Sequence, residues 1–167
     1  MKIYAATGHR PDKLGGYSVE AQQVQVKVAK HYLRKKNPDL IITGMALGWD
    51  TAWALAGLEL DIPVVAAIPF KGQESRWAAS AQEQFHQIVD QCVDVKYVCS
   101  PGYAPWKMQV RNRWMVDNCT KLVALWNGTD GGTANCLAYA AEKKRHVYNL
   151  FPKWRIAWEN FTEQPYS

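Results

Sequence analysis

The chain has 167 residues, 48% of them hydrophobic and 21% charged, which suits one domain with a full hydrophobic core. No apolar run is long enough to span a bilayer and the opening MKIYAATGHR lacks the apolar stretch of a signal peptide, so no membrane partner and a cytoplasmic location are expected. A net charge of +5 and a pI near 9.0 point to anionic partners, either a phosphorylated small molecule or nucleic acid. The four cysteines, Cys92, Cys99, Cys119 and Cys136, form no CxxC pair and have no histidine at zinc-ligand spacing. They read as reduced thiols in or near the core, and neither a metal nor a cofactor is expected.

In chain order, Lys2 to Ala6 is a short apolar strand, followed by the polar turn Thr7-Gly8-His9-Arg10-Pro11 and a loop to Tyr17. Ser18 is a good N-cap for a helix that runs to about Lys36, where Asn37-Pro38 stops it. Leu40 to Thr43 is a strand without alternation, as burial on both faces requires. The turn Gly44-Met45-Ala46-Leu47-Gly48 leads into an Ala-rich helix from near Trp49 to about Leu60, apolar almost all round and so well buried. Strand Val64 to Ile68 is followed by a loop through Glu74 and a helix from Ser75 or Arg76 to Gln91. Val93 to Val98 is a strand, Trp106 to Asn118 a helix and Lys121 to Trp126 a strand. The glycine turn Asn127-Gly128-Thr129-Asp130-Gly131-Gly132 opens a helix from about Thr133 to Lys144, and Val147 to Leu150 is the last strand. The tail from Phe151 carries Trp154, Trp158 and Phe161 and is expected to pack across a single domain spanning residues 1–167.

Strand and helix alternate about five times. That pattern predicts a doubly wound α/β fold, a mainly parallel sheet flanked by helices. In such folds ligands bind beyond the carboxyl ends of the strands, where strand order reverses. Four polar or glycine-rich turns, after Ala6, Thr43, Ile68 and Trp126, fall on that edge.

Four groups of residues carry the expected chemistry. Gly128, Gly131, Gly132 and Thr133 bring backbone donors and a hydroxyl to a helix start, which suits a phosphate; a plain tight turn needs the same residues. Gly44, Met45 and Gly48 allow close approach, and Asp50 either accepts a ribose hydroxyl or caps its helix. In Thr7-Gly8-His9-Arg10, Arg10 offers a planar fork for phosphate, while His9 is either an acid-base group or a structural histidine. On the fourth helix, Arg111 with Asn112 faces a ligand, and Arg113 and Asp117 are spaced for a surface ion pair. The basic runs Arg34-Lys35-Lys36 and Lys143-Lys144-Arg145 fall where helices end and offset the helix dipole there.

Taken together these motifs resemble the SLOG superfamily, specifically its YpsA-like branch. The resemblance is carried by Thr7-Gly8-His9-Arg10-Pro11 with Leu14-Gly15-Gly16-Tyr17, Gly44 to Asp50, Ile68-Pro69-Phe70 with Gly72-Gln73-Glu74 and Trp77, Tyr103 with Met108-Gln109, Arg111-Asn112, Met115-Val116-Asp117, and Trp126-Asn127-Gly128 with Gly131 to Asn135. It implies a Rossmann-like fold, a nucleotide or nucleotide-derived ligand such as ADP-ribose, and a homo-oligomer. Relatives of that kind include the LOG phosphoribohydrolases, the DNA-binding DprA proteins and sensors of NAD-derived signals.

One departure weighs against chemistry. The hydrolases carry a glutamate just after the threonine of the glycine motif; here Thr133 is followed by Ala134, Asn135 and Cys136, with no carboxylate until Glu142. Cleaving an N-glycosidic bond calls for a carboxylate near the anomeric carbon. The expectation is therefore a binder. Gly131, Gly132 and Thr133 hold phosphate, Arg10 and Arg111 neutralise it, Asp50 or Asn135 takes ribose hydroxyls, and Phe70 or Trp77 stacks on a base. The alternative is a phosphoribohydrolase or other N-glycosidase with Asp50 or Glu74 as its acid. A weaker one is single-stranded nucleic acid binding through the basic runs.

Overall fold

The computed structural model describes residues 1–164; Pro165 to Ser167, the end of the expected tail, lie outside the described residues. Six strands, β1 (Ile3–Gly8), β2 (Leu40–Thr43), β3 (Val64–Ile68), β4 (Asp94–Tyr97), β5 (Lys121–Leu125) and β6 (His146–Asn149), form one sheet in the order β4-β3-β2-β1-β5-β6. Every pairing is parallel. Helices α1 (Val19–Lys36), α2 (Trp49–Glu59) and α3 (Ala79–Gln91) cover one face together with α6 (Phe151–Thr162), and α4 (Pro105–Asn118) and α5 (Gly132–Glu142) cover the other. The strand order reverses between β1 and β5, which fixes where a ligand crevice opens.

The local reasons are plain. Ser18 Oγ accepts from the Ala21 amide at 3.1 Å, and α1 ends where Asn37 turns left-handed (φ 47°) before Pro38. Its stripe of Ala21, Val24, Val28, Ala29, Tyr32 and Leu33 is buried. α2 lies between α1 and the sheet, and Trp49 reaches across to donate from Nε1 to the Val123 carbonyl at 3.3 Å. The contact needs Gly8, since a Cβ there would lie 2.6–2.8 Å from the Trp49 side chain.

Several boundaries differ from expectation. β1 runs through Thr7 and Gly8, because both continue the ladder with Ala124 and Leu125. α3 begins at Ala79, not Ser75 or Arg76: Gln82 Nε2 occupies the Ser75 and Trp77 carbonyls, holding that stretch in turns. α5 stops at Glu142, with left-handed Lys144 (φ 54°) and the Arg145 amide returning to the Ala140 carbonyl. The tail is a helix, α6, with Pro152 in its first turn, where a missing N–H costs nothing. Trp154 is buried there, stacked on Trp158 at 6.0 Å, and Trp158 fills the space a Cβ of Gly15 would take.

Candidate functional site

At the reversal point the ends of β1 and β5 diverge, and the turns that follow them wall a cavity of about 290 Å³. Gly8, His9 and Arg10 come from the end of β1, Asp50 from the start of α2 and Arg111 and Asn112 from α4. Gly131, Gly132 and Thr133 come from the turn into α5. The fold thus brings nine of the expected residues to one place.

The β5 turn is pinned by side chains. His9 Nε2 lies 2.9 Å from both the Asn127 amide nitrogen and Asn127 Oδ1, so either tautomer ties the ring to this turn, accepting from the first or donating to the second. Asn127 Oδ1 accepts the Thr129 amide and hydroxyl, Lys13 Nζ donates to Thr129 Oγ1 at 3.1 Å, and Trp126 Nε1 donates to the Thr129 carbonyl at 2.8 Å. Burial holds His9 below its ordinary pKa. His9 therefore favours the neutral form and braces the turn. Beyond it, no side chain caps α5; Gly131 (φ 141°) is its N-cap, and the first amides of a helix lack intrahelical partners.

Beneath the cavity lie two buried charged side chains, Asp50 and Arg111, that attract each other without forming a direct ion pair. Asp50 is 6% exposed, and burial pushes its carboxyl up to about 6, against the pull of Arg111, the Ala46 amide and Arg10. Arg111 is 4% exposed; Nη1 donates to the carbonyls of Gly44 (2.5 Å) and Ala67 (3.3 Å), and Nε donates to Asn112 Oδ1 (2.9 Å). With those bonds made, Arg111 ties the ends of β2 and β3 together and presents only one edge to the cavity.

Other expected residues fall elsewhere. Met45 (φ 58°) points into the core, and Gly44 and Gly48 pack under neighbouring atoms. Thr7 is buried with its hydroxyl on the Cys136 thiol. Gly128 sits on the exposed part of the turn. Asn135 is exposed and off the cavity wall: Thr133 and Cys136 face the sheet, and the helical rotation carries Asn135 outward. Glu74 is buried with Oε2 unpartnered but lines neither this cavity nor its neighbour. Arg113 and Asp117 make no ion pair; Asp117 accepts from the Tyr139 hydroxyl at 2.9 Å, and Arg113 lies over the Tyr139 ring.

The neighbouring cavity, also about 290 Å³, shares Arg10 and Met108 with the first and is walled by Phe70, Trp77 and Tyr103. Phe70 and Tyr103 meet edge to face at 6.0 Å. Buried Lys107 pins the loop before α4 through the carbonyls of Ser100, Pro101 and Gly102, and sits 5.8 Å from the Phe70 ring centroid. Sequence reasoning passed over Lys107. It also left Asp12, Lys13, Thr129, Asp130 and Gln109 out of the site, although Asp12 and Lys13 directly follow the Thr7-to-Pro11 motif on the same edge. Among the described residues no His, Cys, Asp and Glu group is spaced to hold a metal ion, and no helix is long and apolar enough to cross a membrane.

Comparison with known proteins agrees with this architecture. The chain is 36% identical to the SPbeta prophage-derived protein YoqJ of Bacillus subtilis (strain 168), over 77% of this chain and 82% of YoqJ. Its fold resembles DNA processing protein A (DprA) from Streptococcus pneumoniae, with a TM-score of 0.63 at 22% identity, covering 89% of this chain and 50% of DprA. DprA from Helicobacter pylori, described for its single-stranded DNA binding mode, gives a TM-score of 0.65 at 15% identity, covering 89% of this chain and 64% of that one. These likenesses show the fold. Residues 4–156 match the family described as YspA SLOG, and with that span of the sequence and the β1–β5 crevice in agreement, the chain belongs to the YspA SLOG family.

Proposed function

We propose that the chain binds a nucleotide-derived small molecule of the ADP-ribose type at the carboxyl edge of its sheet, without cleaving it. One observation carries this: an uncapped helix start at Gly131 and Gly132 opens onto the same cavity as Arg10 and Lys13, and that cavity continues past Arg10 and Met108 to an aromatic one. The α5 amides with Arg10 and Lys13 hold the diphosphate. Arg111 acts through Asp50, keeping a carboxylate where ribose hydroxyls donate to it. Phe70, Trp77 and Tyr103 receive the base. A pocket of mixed polar and aromatic lining at a strand-order reversal is the usual setting for such a ligand.

Calorimetry against ADP-ribose, cyclic ADP-ribose isomers, NAD and AMP tests the proposal; no heat from any of them, with folded protein, sinks it. The diphosphate of ADP-ribose does not titrate near neutrality, so the part of the pH dependence that Asp50→Asn removes reports on Asp50, apart from His9 in the same cavity. Ionised Asp50 is the binding form, and affinity falls about tenfold from pH 7.5 to pH 5 as the carboxyl near 6 protonates. Asp50→Asn flattens that profile.

A second reading rests on Asp50 itself, since a buried carboxyl near 6 beside a ribose is the equipment of an N-glycosidase. Free base released from nucleotides by the wild type and not by Asp50→Asn selects it. Nucleic acid binding, suggested by the DprA likeness, would use Arg34-Lys35-Lys36 and Lys143-Lys144-Arg145. These runs lie before β2 and β6, on the sheet edge opposite the cavity. Salt-independent affinity excludes it. The proposed homo-oligomer is tested by sedimentation.

A further inference from the structure

The two joined cavities differ in charge. The one under the β5 turn carries three carboxylates, Asp12, Asp50 and Asp130, beside Arg10, Lys13 and Arg111. The aromatic one carries none: its charged side chains are Arg10, which the two share, and Arg76, which lines this cavity alone. Glu74, the acid nearest to Arg76 along the chain, lines neither. Among the described residues the ion pairs are Lys30–Glu59 and Arg155–Glu159, so the Arg76 guanidinium is committed to no acid. The backbone that carries it is nevertheless held. Gln82 Nε2 donates to the carbonyls on either side, Ser75 at 3.3 Å and Trp77 at 2.9 Å, and the Trp77 ring meets Phe85 edge to face at 5.6 Å. Gln73, on the same wall, has its amide nitrogen on the Gly44 and Met45 carbonyls, 3.3 Å from each. With Arg10 on the diphosphate, Arg76 is the charged donor left at the aromatic end.

This contrast bears on which ribose of the ligand is free. In dinucleotide sites a carboxylate accepts from the 2′-hydroxyl of an unmodified ribose, whereas an arginine accommodates a 2′-phosphate. A carboxylate repels that phosphate, and a guanidinium fork matches two of its oxygens. Arg76 is exposed, which suits a group that meets a dianion without stripping it of water. Resting on the nucleotide reading above, with the base among Phe70, Trp77 and Tyr103, we propose that the base-side ribose of the ligand carries a 2′-phosphate and that Arg76 reads it. The unmodified ribose is the distal one, on the Asp50 side. The ligand class is then a 2′-phosphorylated ADP-ribose, and Arg76 is the residue that distinguishes it from ADP-ribose itself.

Calorimetry of the full chain compares ADP-ribose with ADP-ribose 2′-phosphate at one salt concentration. The 2′-phosphate is expected to bind about tenfold tighter, since hydrogen bonds between charged groups are the strong ones. Arg76→Gln abolishes that preference, and Arg76→Lys keeps part of it, as a point charge without the fork. Lys13→Gln, in the other cavity, weakens both ligands and leaves the preference, which separates a local contact from a general gain in ligand charge. ADP-ribose that binds with no gain from the 2′-phosphate overturns the proposal and leaves the nucleotide reading standing. So does a gain that survives Arg76→Gln, or one lost equally in Lys13→Gln. No binding of either compound to folded protein overturns that reading, and this proposal with it.

Discussion

Two glycine turns follow the two buried strands that flank β1, and they do opposite things. The turn after β2 is packed solid. A Cβ at Gly44 would lie 2.6 Å from Arg111 Nη1 and 2.8 Å from Asp50 Oδ2, and one at Gly48 would lie 2.4 Å from the His9 carbonyl oxygen. Its amides and hydroxyls close on themselves: Thr43 Oγ1 donates to the Asp50 carbonyl, and Thr51 Oγ1 donates to the Ala46 carbonyl. Even the α2 start is taken, since the Trp49 amide donates to the His9 carbonyl at 3.2 Å. The turn after β5 is open. A Cβ at Gly128 or Gly131 would meet nothing within 4 Å, and one at Gly132 would come no closer than 3.7 Å to Gln109. Glycine in the first turn makes room for protein; in the second the space beside it stays open.

The sharpest way to break this contrast is to add a methyl group to each turn. Gly48→Ala combines φ +94° with a backbone clash, and Gly44→Ala drives into the buried Arg111 and Asp50 side chains. Each is expected to cost about 3 kcal/mol or more in urea unfolding, enough to unfold a marginal domain. If either variant retains wild-type stability, the first turn is not the packed scaffold described.

Next in size is the charge inside that turn. Asp50 has its carboxyl raised from 3.8 to about 6, so the fold favours the neutral form. Stability from this group is fully present below about pH 4 and is lost as pH rises through about 6, a change of about 3 kcal/mol. The difference in unfolding free energy between wild type and Asp50→Asn, followed from pH 4 to pH 7, measures it. A constant difference contradicts the assignment.

The open turn should respond in the reverse sense. Gly132→Glu places an acid in the first turn of α5, where the helix dipole favours it by about 0.3–1 kcal/mol. Stability holds or rises while ADP-ribose affinity drops by more than about tenfold, because the carboxylate meets the phosphates. Unchanged affinity removes the phosphate from this turn. The smallest effect is Gly128→Ala, where only the positive φ of 93° is violated, at about 1 kcal/mol in thermal or urea unfolding. A loss as large as that of Gly48→Ala would make the two turns alike.

The sequence could not separate these turns. Unalternated runs such as Leu40 to Thr43 and Leu122 to Leu125 announce a parallel sheet, and from strand order follows the edge on which the turns meet. Which glycines are crowded depends on what arrives from α4 at Gly44 and from the end of β1 at Gly48, and that Arg111 is spent on the Gly44 and Ala67 carbonyls is a tertiary fact. The same holds for Lys107, which nothing in the sequence marks and which is buried on three carbonyls. The tail from Phe151 is expected from the sequence to pack across the domain without being assigned an element, although proline suits a first helical turn, as in α6. Asn135 lies off the cavity for a local reason: two residues past buried Thr133 the helix has turned by about 200°, which carries the side chain outward.

The bond from the Asn127 amide to His9 joins residues 118 positions apart, and β1 has no β5 neighbour until that distance is closed. During synthesis the cavity therefore does not exist in a nascent chain that has yet to release its second glycine turn. Nor does either half of a chain divided anywhere between α1 and α4 contain it. Two such halves, co-expressed, would recover ligand binding only by docking β5 against β1. Binding by the reunited halves would then serve as a reporter of strand assembly in the centre of the sheet.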